Sequence, residues 1–197
     1  MTKYYLAVLM TAVFILAFPV DGNAAVTDSD KDGLNDWYEQ QFKTDPHDPD
    51  TDKDGYLDGQ EVMNGFDPLK AGSSTLEKVI RLDLKKQELS RVLGGVVLGI
   101  YKVSTGKKSM PTPTGIYKIG NKSPRAWSKT YGLWMPYWLG IYGQRFGIHE
   151  LPIWPNGYRE GANHLGIPVS HGCIRLGIGQ AKILYQWAEI GTEVRIY

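Results

Sequence analysis

The chain is 197 residues long, with 42% hydrophobic and 22% charged residues. That is globular composition, and it excludes a disordered chain, a collagen-like fibre and a polytopic membrane protein. The net charge of +1 hides a division: residues 28–67 carry 13 acidic and 3 basic side chains, residues 68–197 carry 18 basic and 7 acidic, which points to two modules with different partners.

The first element is a leader. Lys3 precedes an uncharged apolar run from Leu6 to Val20, and Gly22 and Ala24 supply the small residues of a cleavage site after Ala24. The pattern predicts a signal peptide over residues 1–24. The mature protein, about 170 residues, then works in the periplasm or outside the cell, at the cell wall. The apolar run is shorter than a ~20-residue membrane span, so a membrane enters only if the segment stays uncleaved.

Two acidic loops come next. Asp28-Ser29-Asp30-Lys31-Asp32-Gly33 begins a twelve-residue stretch ending at Glu39, and Asp50-Thr51-Asp52-Lys53-Asp54-Gly55 begins its repeat ending at Glu61. Calcium takes six to eight oxygen ligands at ~2.3–2.6 Å. Carboxylates at positions 1, 3, 5, 9 and 12 converge on one ion if the chain turns at the glycine in position 6. The expected ligands are Asp28, Asp30, Asp32, Asp36 and Glu39 with the Leu34 carbonyl, and Asp50, Asp52, Asp54, Asp58 and Glu61 with the Tyr56 carbonyl. With the Thr44-Asp45-Pro46 and Phe66-Asp67-Pro68 turns, the stretch resembles bacterial thrombospondin type 3 repeats. The resemblance implies a structural Ca2+ site in each loop and a stiff stalk over residues 25–70. Ala71 to Thr75 reads as a linker, placed at 71–76.

From residue 77 onward the pattern is mainly β. Ile80, Leu82 and Leu84 alternate with Arg81, Asp83 and Lys85, which is a half-buried strand. Leu89–Leu93 and Val96–Val103 read as further strands around Gly94-Gly95. A turn-rich segment from Met110 to Gly115 leads into a strand over Ile116–Ile119. Ile183, Leu184, Trp187 and Ala188 fall at helical spacing, with Gly191 expected to cap that helix, and Thr192–Tyr197 reads as a last strand. The expectation is a β-sandwich or mixed sheet with one late helix. Nine aromatics crowd residues 127–158 and are candidates for a substrate groove.

Chemistry concentrates in Gly147-Ile148-His149 and Ser170-His171-Gly172-Cys173-Ile174-Arg175-Leu176. Cys173 is the only cysteine, so no intramolecular disulfide forms. A thiol beside a histidine can become a nucleophile near neutral pH. The backbone N–H groups of Gly172 and Cys173 are candidates for an oxyanion hole. His164 is a rival base to His149.

These residues carry a resemblance to the L,D-transpeptidase (YkuD-type) catalytic domain over Glu77–Tyr197. The Ser170–Leu176 run matches the family signature. Thr112-Pro113-Thr114-Gly115-Ile116-Tyr117 and Met135-Pro136-Tyr137-Trp138 are similar to its other segments. The resemblance implies Cys173 as nucleophile, His149 as general base, and His171 and Gly172 as parts of the catalytic loop. Arg175 and Ser170 become substrate-binding candidates. No catalytic cofactor is implied.

The implied partners are peptidoglycan stem peptides and a wall-attached protein acceptor, with no nucleic acid. The surplus positive charge of the domain suits an anionic wall. The sequence leaves two alternatives open: hydrolysis of the same thioester by an L,D-carboxypeptidase or endopeptidase, and a catalytically idle wall-binding protein. One departure stands out. Glu150 comes after the histidine where a small residue is usual, and 20 residues separate His149 from Ser170. The excess predicts an insertion over Leu151–Gly161; Glu150 reads as an exposed loop carboxylate, with a part in the site as the alternative.

Overall fold

The structure, a computed structural model, describes residues 27–141, 143 and 145–197. The expected signal peptide and Tyr142 lie outside the described residues. No helix among the described residues is long and apolar enough to cross a membrane. The chain divides into two compact units, one ending at Thr75 and one over Leu76–Tyr197.

In the first unit the same backbone is made twice. Lys31 and Lys53 adopt φ 65° and 66°, and Gly33 and Gly55 adopt φ 98° and 95°. Each loop then runs into a seven-residue helix, α1 (Asp36–Phe42) and α2 (Asp58–Asn64). Asn35 caps α1 through its side chain, which accepts from the Tyr38 N–H at 3.0 Å. The fifth-position aspartate of each loop fastens the chain further on. Asp32 Oδ2 accepts from the Gly59 N–H at 2.6 Å, and Asp54 Oδ2 accepts from the Gly72 N–H at 2.7 Å. A Cβ at Gly59 would lie 2.6 Å from the Asp32 carbonyl oxygen, so the contact requires glycine there.

The second unit contains β1 (Lys78–Asp83), β2 (Glu88–Leu93), β3 (Val96–Ser104), β4 (Gly115–Ser128), β5 (Leu133–Ile141), β6 (Gly147–Glu150), β7 (Ile174–Leu176), α3 (Gln180–Trp187) and β8 (Glu193–Ile196). The strands form one mixed sheet, closed in the order β1-β2-β3-β7-β6-β5-β4-β8. β1/β8 and β6/β7 pair in parallel, and the other neighbours are antiparallel. Of the two arrangements expected, the mixed sheet is the one formed, with its late helix. The predicted alternation in β1 puts Ile80 and Leu82 in the core beside Leu89, Val103, Ile119, Ile148, Ile174 and Leu184, all 1% exposed or less. Each such side chain contributes roughly 1.5–3 kcal/mol by leaving water.

Two expectations change. β4 continues nine residues past Ile119 as one arm of a long hairpin with β5, bulged between Ile119 and Asn121. Also, α3 ends at Trp187 with Ala188 as its C-cap. Gly191, at φ 94°, instead turns the chain into β8 and donates its N–H to the Ile119 carbonyl at 2.8 Å.

Candidate active site and calcium loops

β6 and β7 run parallel with His149 in register with Arg175. Residues two apart on a strand share a face. Cys173, just before β7, therefore points the same way as Arg175 and His149. All three line a cavity of about 320 Å³, together with His164, His171 and Glu160. Of the eight described among the nine aromatics, Tyr131, Trp154 and Tyr158 reach this cavity. Trp138 stacks on His149 with centroids 6.0 Å apart, whereas Phe146 packs on Tyr117 and Trp127 on Trp134.

His149 is 2% exposed. Its Nδ1 lies 2.6 Å from the Glu150 carbonyl oxygen. That oxygen only accepts, so the proton belongs on Nδ1 and Nε2 is left as the basic nitrogen. Burial lowers the His149 pKa to about 4, helped by the Arg175 charge and opposed by the Glu150 bond. Burial also pushes the Cys173 thiol up, against a Gly147 N–H and Arg175 that pull it down. Both shifts favour a neutral thiol beside a neutral imidazole in the free protein. Iodoacetamide should therefore alkylate Cys173 slowly at pH 7, with a rate that inflects above the free-cysteine pKa of ~8.5. An inflection near pH 6 would mean a preformed thiolate and contradict this geometry.

The loop before β7 is fixed from within. Ser170 is fully buried. Its hydroxyl donates to the Cys173 carbonyl at 2.6 Å and accepts from the Gly172 N–H at 3.1 Å. Two expectations are corrected by this. Ser170 shapes the loop and does not face substrate, and the Gly172 N–H is already used, leaving that of Cys173 as the loop's oxyanion candidate. Gly172 sits at φ 110°, which side-chain-bearing residues adopt only with strain. Thr112, from the Thr-Pro-Thr-Gly segment, donates to the Gly172 carbonyl at 2.9 Å and accepts from the Gly106 N–H at 2.9 Å. His171 stacks on Tyr131 at 4.6 Å, and its Nε2 lies 3.1 Å from the Lys107 ammonium. Burial and that ammonium lower its pKa, so His171 serves as a neutral brace.

Of two acids at the site, Glu160 escapes the sequence reading and Glu150 reads there mainly as exposed. Glu150 is 3% exposed, not a loop carboxylate in water. It pairs with Arg159 through Oε1 and accepts the Gly179 N–H at 2.9 Å through Oε2. It thus ties the 151–161 loop to the start of α3 while its own carbonyl orients His149. Glu160 is 9% exposed; its Oε1 receives Arg175 Nη1 at 2.7 Å and pairs with His164 Nδ1. Arg175 therefore lines the cavity with Nη1 already paired to Glu160, while its Nε is buried without a hydrogen-bond partner among the described residues. Partners 9 and 15 residues apart leave no periodic signal; only the long His149–Ser170 spacing hinted at them. Glu150→Ala should lower thermal stability by roughly 1–3 kcal/mol and reduce turnover, read from a melting curve and from kcat. Unchanged turnover would separate Glu150 from the base.

In the first unit, one carboxylate oxygen from each of Asp28, Asp30 and Asp32 lies within 4.8 Å of the others, and Asp50, Asp52 and Asp54 repeat the cluster. Asp30 Oδ2, Glu39 Oε2, Asp52 Oδ2 and Glu61 Oε2 are buried without hydrogen-bond partners among the described residues. Burial and neighbouring acids raise Glu39 to about 8 and Glu61 to about 7, and burial above all raises Asp32 to about 6. Asp36 and Asp58 stand apart from these clusters. They close the loops on Ser29 (N–H at 2.9 Å, hydroxyl at 3.0 Å) and Thr51 (N–H at 3.0 Å, hydroxyl at 2.6 Å).

Comparison with known proteins agrees with the two-part pattern. A family model for the L,D-transpeptidase catalytic domain matches residues 77–196, and one for the bacterial TSP3 repeat matches residues 28–49 and 50–71. Two proteins of Bacillus subtilis (strain 168), provisionally named as L,D-transpeptidases, are similar. YqjB is 28% identical over 57% of this chain and 66% of its own length, and YkuD is 30% identical over 62% and 67%. The chain thus spans about two thirds of these relatives. The crystal structure of an L,D-transpeptidase from Stackebrandtia nassauensis superposes with a TM-score of 0.53 at 29% identity, over 61% of this chain and 55% of that one.

Proposed function

The chain belongs to the L,D-transpeptidase catalytic-domain family, and from that premise we propose that it is an exported peptidoglycan acyltransferase, with a catalytic domain at 77–197 and a calcium-stiffened module at 25–70. The observation that carries the reading is that Cys173 and His149 line one cavity, with His149 Nδ1 bound to the Glu150 carbonyl so that Nε2 is left to accept a proton.

Cys173 Sγ attacks the carbonyl carbon at the third residue of a stem peptide while its proton passes to His149 Nε2. The tetrahedral adduct collapses, the bond to the terminal D-amino acid breaks, and His149 returns the proton to the leaving amine. The thioester on Cys173 is then taken by an amine from a second stem peptide or a wall protein. A low pKa suits His149 to this role, because a base that holds its proton weakly gives it up readily to the leaving group.

The test is incubation with disaccharide tetrapeptides followed by mass spectrometry. A crosslinked dimer supports transpeptidation. Tripeptide alone assigns the protein to L,D-carboxypeptidase chemistry, and no turnover with this or other stem peptides refutes the enzymatic reading.

The acidic loops fit calcium. Their donors are all oxygen, and four buried carboxylate oxygens lack any other partner among the described residues. Asp28, Asp30, Asp32 and Glu39 with the Leu34 carbonyl would hold one ion. Asp50, Asp52, Asp54 and Glu61 with the Tyr56 carbonyl would hold the other. Calcium would neutralise the crowded carboxylates and so fix the loops.

A further inference from the structure

We propose that His164, held by Glu160, is a second base dedicated to the acyl acceptor: it takes the surplus proton of the incoming ammonium before the amine attacks the thioester. The inference rests on the acyl-transfer reading above and adds a separate route for the acceptor's proton.

The need for such a route comes from proton counting. A primary amine with a pKa near ~10 arrives as an ammonium at neutral pH. To become an amide nitrogen it must lose two protons. One ends on the departing Cys173 sulfur, and His149 can carry it, since His149 served that sulfur in the first half-reaction. The other must leave for water. His149 is badly placed to discharge it. It is 2% exposed, lies beneath Trp138, and the Arg175 charge opposes its imidazolium.

His164 has the complementary properties. It lines the same cavity as Cys173, and its side chain is 39% exposed, so it touches both the reacting space and solvent. Its Nδ1 meets Glu160 Oε1. A carboxylate only accepts, so Nδ1 carries the proton and Nε2 is basic. The carboxylate also stands where it pairs with the imidazolium once formed, which is how a base is oriented by a third group in hydrolytic triads. Glu160 is itself 9% exposed and anchored by Arg175 Nη1 at 2.7 Å. The chain His164–Glu160–Arg175 therefore ends two residues from the nucleophile.

The sequence of steps balances. The ammonium gives one proton to His164 Nε2. The neutral amine attacks the thioester carbon, and the adduct nitrogen gives its second proton to His149 Nε2. The C–S bond breaks, the sulfur takes that proton from His149, and His164 releases its own to water. The products are an amide, the free thiol and one solvent proton.

Hydroxylamine tests this, because it is largely unprotonated at pH 7 and needs no such base. The acyl-enzyme is formed from a disaccharide tetrapeptide, and its decay is followed by mass spectrometry with a stem-peptide amine or with hydroxylamine. In His164→Ala the rate with the peptide amine should fall at least tenfold relative to the rate with hydroxylamine, and added imidazole should restore it. His164→Gln, which keeps a hydrogen-bonding side chain in place, should show the same split. Equal losses with both nucleophiles, or no loss, overturn the second base while leaving the acyl-transfer reading intact. A wild-type protein that forms no thioester overturns both.

Discussion

Cys173→Ala abolishes acyl transfer while the melting transition of the protein stays where it was. The fall should be on the order of 10⁴-fold or more, as for other nucleophiles that form the covalent intermediate. Alanine cannot make a thioester, and no second thiol exists in the chain to replace it. Stability should be spared because the loop around Cys173 is held by other atoms. Ser170 binds the Cys173 carbonyl and the Gly172 N–H, and Thr112 binds the Gly172 carbonyl. None of these bonds uses the sulfur. The measurement is product formation from tetrapeptide beside a thermal melt of the same sample. Retained product in a folded variant refutes the nucleophile; loss of both product and fold would show that the sulfur is structural.

Calcium removal should have the largest effect on stability. Each loop crowds acids whose charges repel, and Glu39 is fully buried with one oxygen that has no hydrogen-bond partner among the described residues. The raised values of Glu39, Glu61 and Asp32 set the sign. Without a cation these groups favour the folded module at low pH, and the benefit disappears as pH rises through about 6 to 8. A chelator at pH 8 should therefore unfold α1 and α2, which at seven residues each are too short to persist alone. Each site at 100-fold excess calcium over its Kd contributes about 2.7 kcal/mol. Calorimetric titration of the full chain should give two ions, and Asp30→Asn with Asp52→Asn should abolish both. A helical circular-dichroism signal and proteolysis pattern indifferent to chelator would remove calcium from the module's folding.

What the sequence disclosed was local. Both acidic loops are contiguous, so a turn glycine and carboxylates at fixed spacing mark the repeat without knowledge of the fold. The Ser170–Leu176 run is likewise contiguous, and strands such as β1 announce themselves because one face is buried and the other wet. The outer part of β4 does not. Asn121, Lys122, Pro124 and Arg125 obey no alternation, because that arm of the hairpin is partly exposed on both faces. The pairings of Glu150 and Glu160 were unreadable for another reason. Their partners come from separate strands and a folded-back loop, and only the closed sheet brings Arg175 beside His149. Asp36 and Asp58 look like ligands because position 9 is acidic in calcium loops. The structure shows a second use for the same residue, closing the loop through the serine or threonine at position 2.

The bonds from Asp32 to Gly59 and from Asp54 to Gly72 couple each acidic loop to the segment that follows it. Each fifth-position carboxylate keeps Oδ1 on an N–H of its own loop, Leu34 or Tyr56, and spends Oδ2 on backbone further along the chain. Order therefore propagates as it does between neighbours in a linear array. Filling the first site stiffens the frame of the second through the Asp32–Gly59 bond, so the two ions should bind cooperatively.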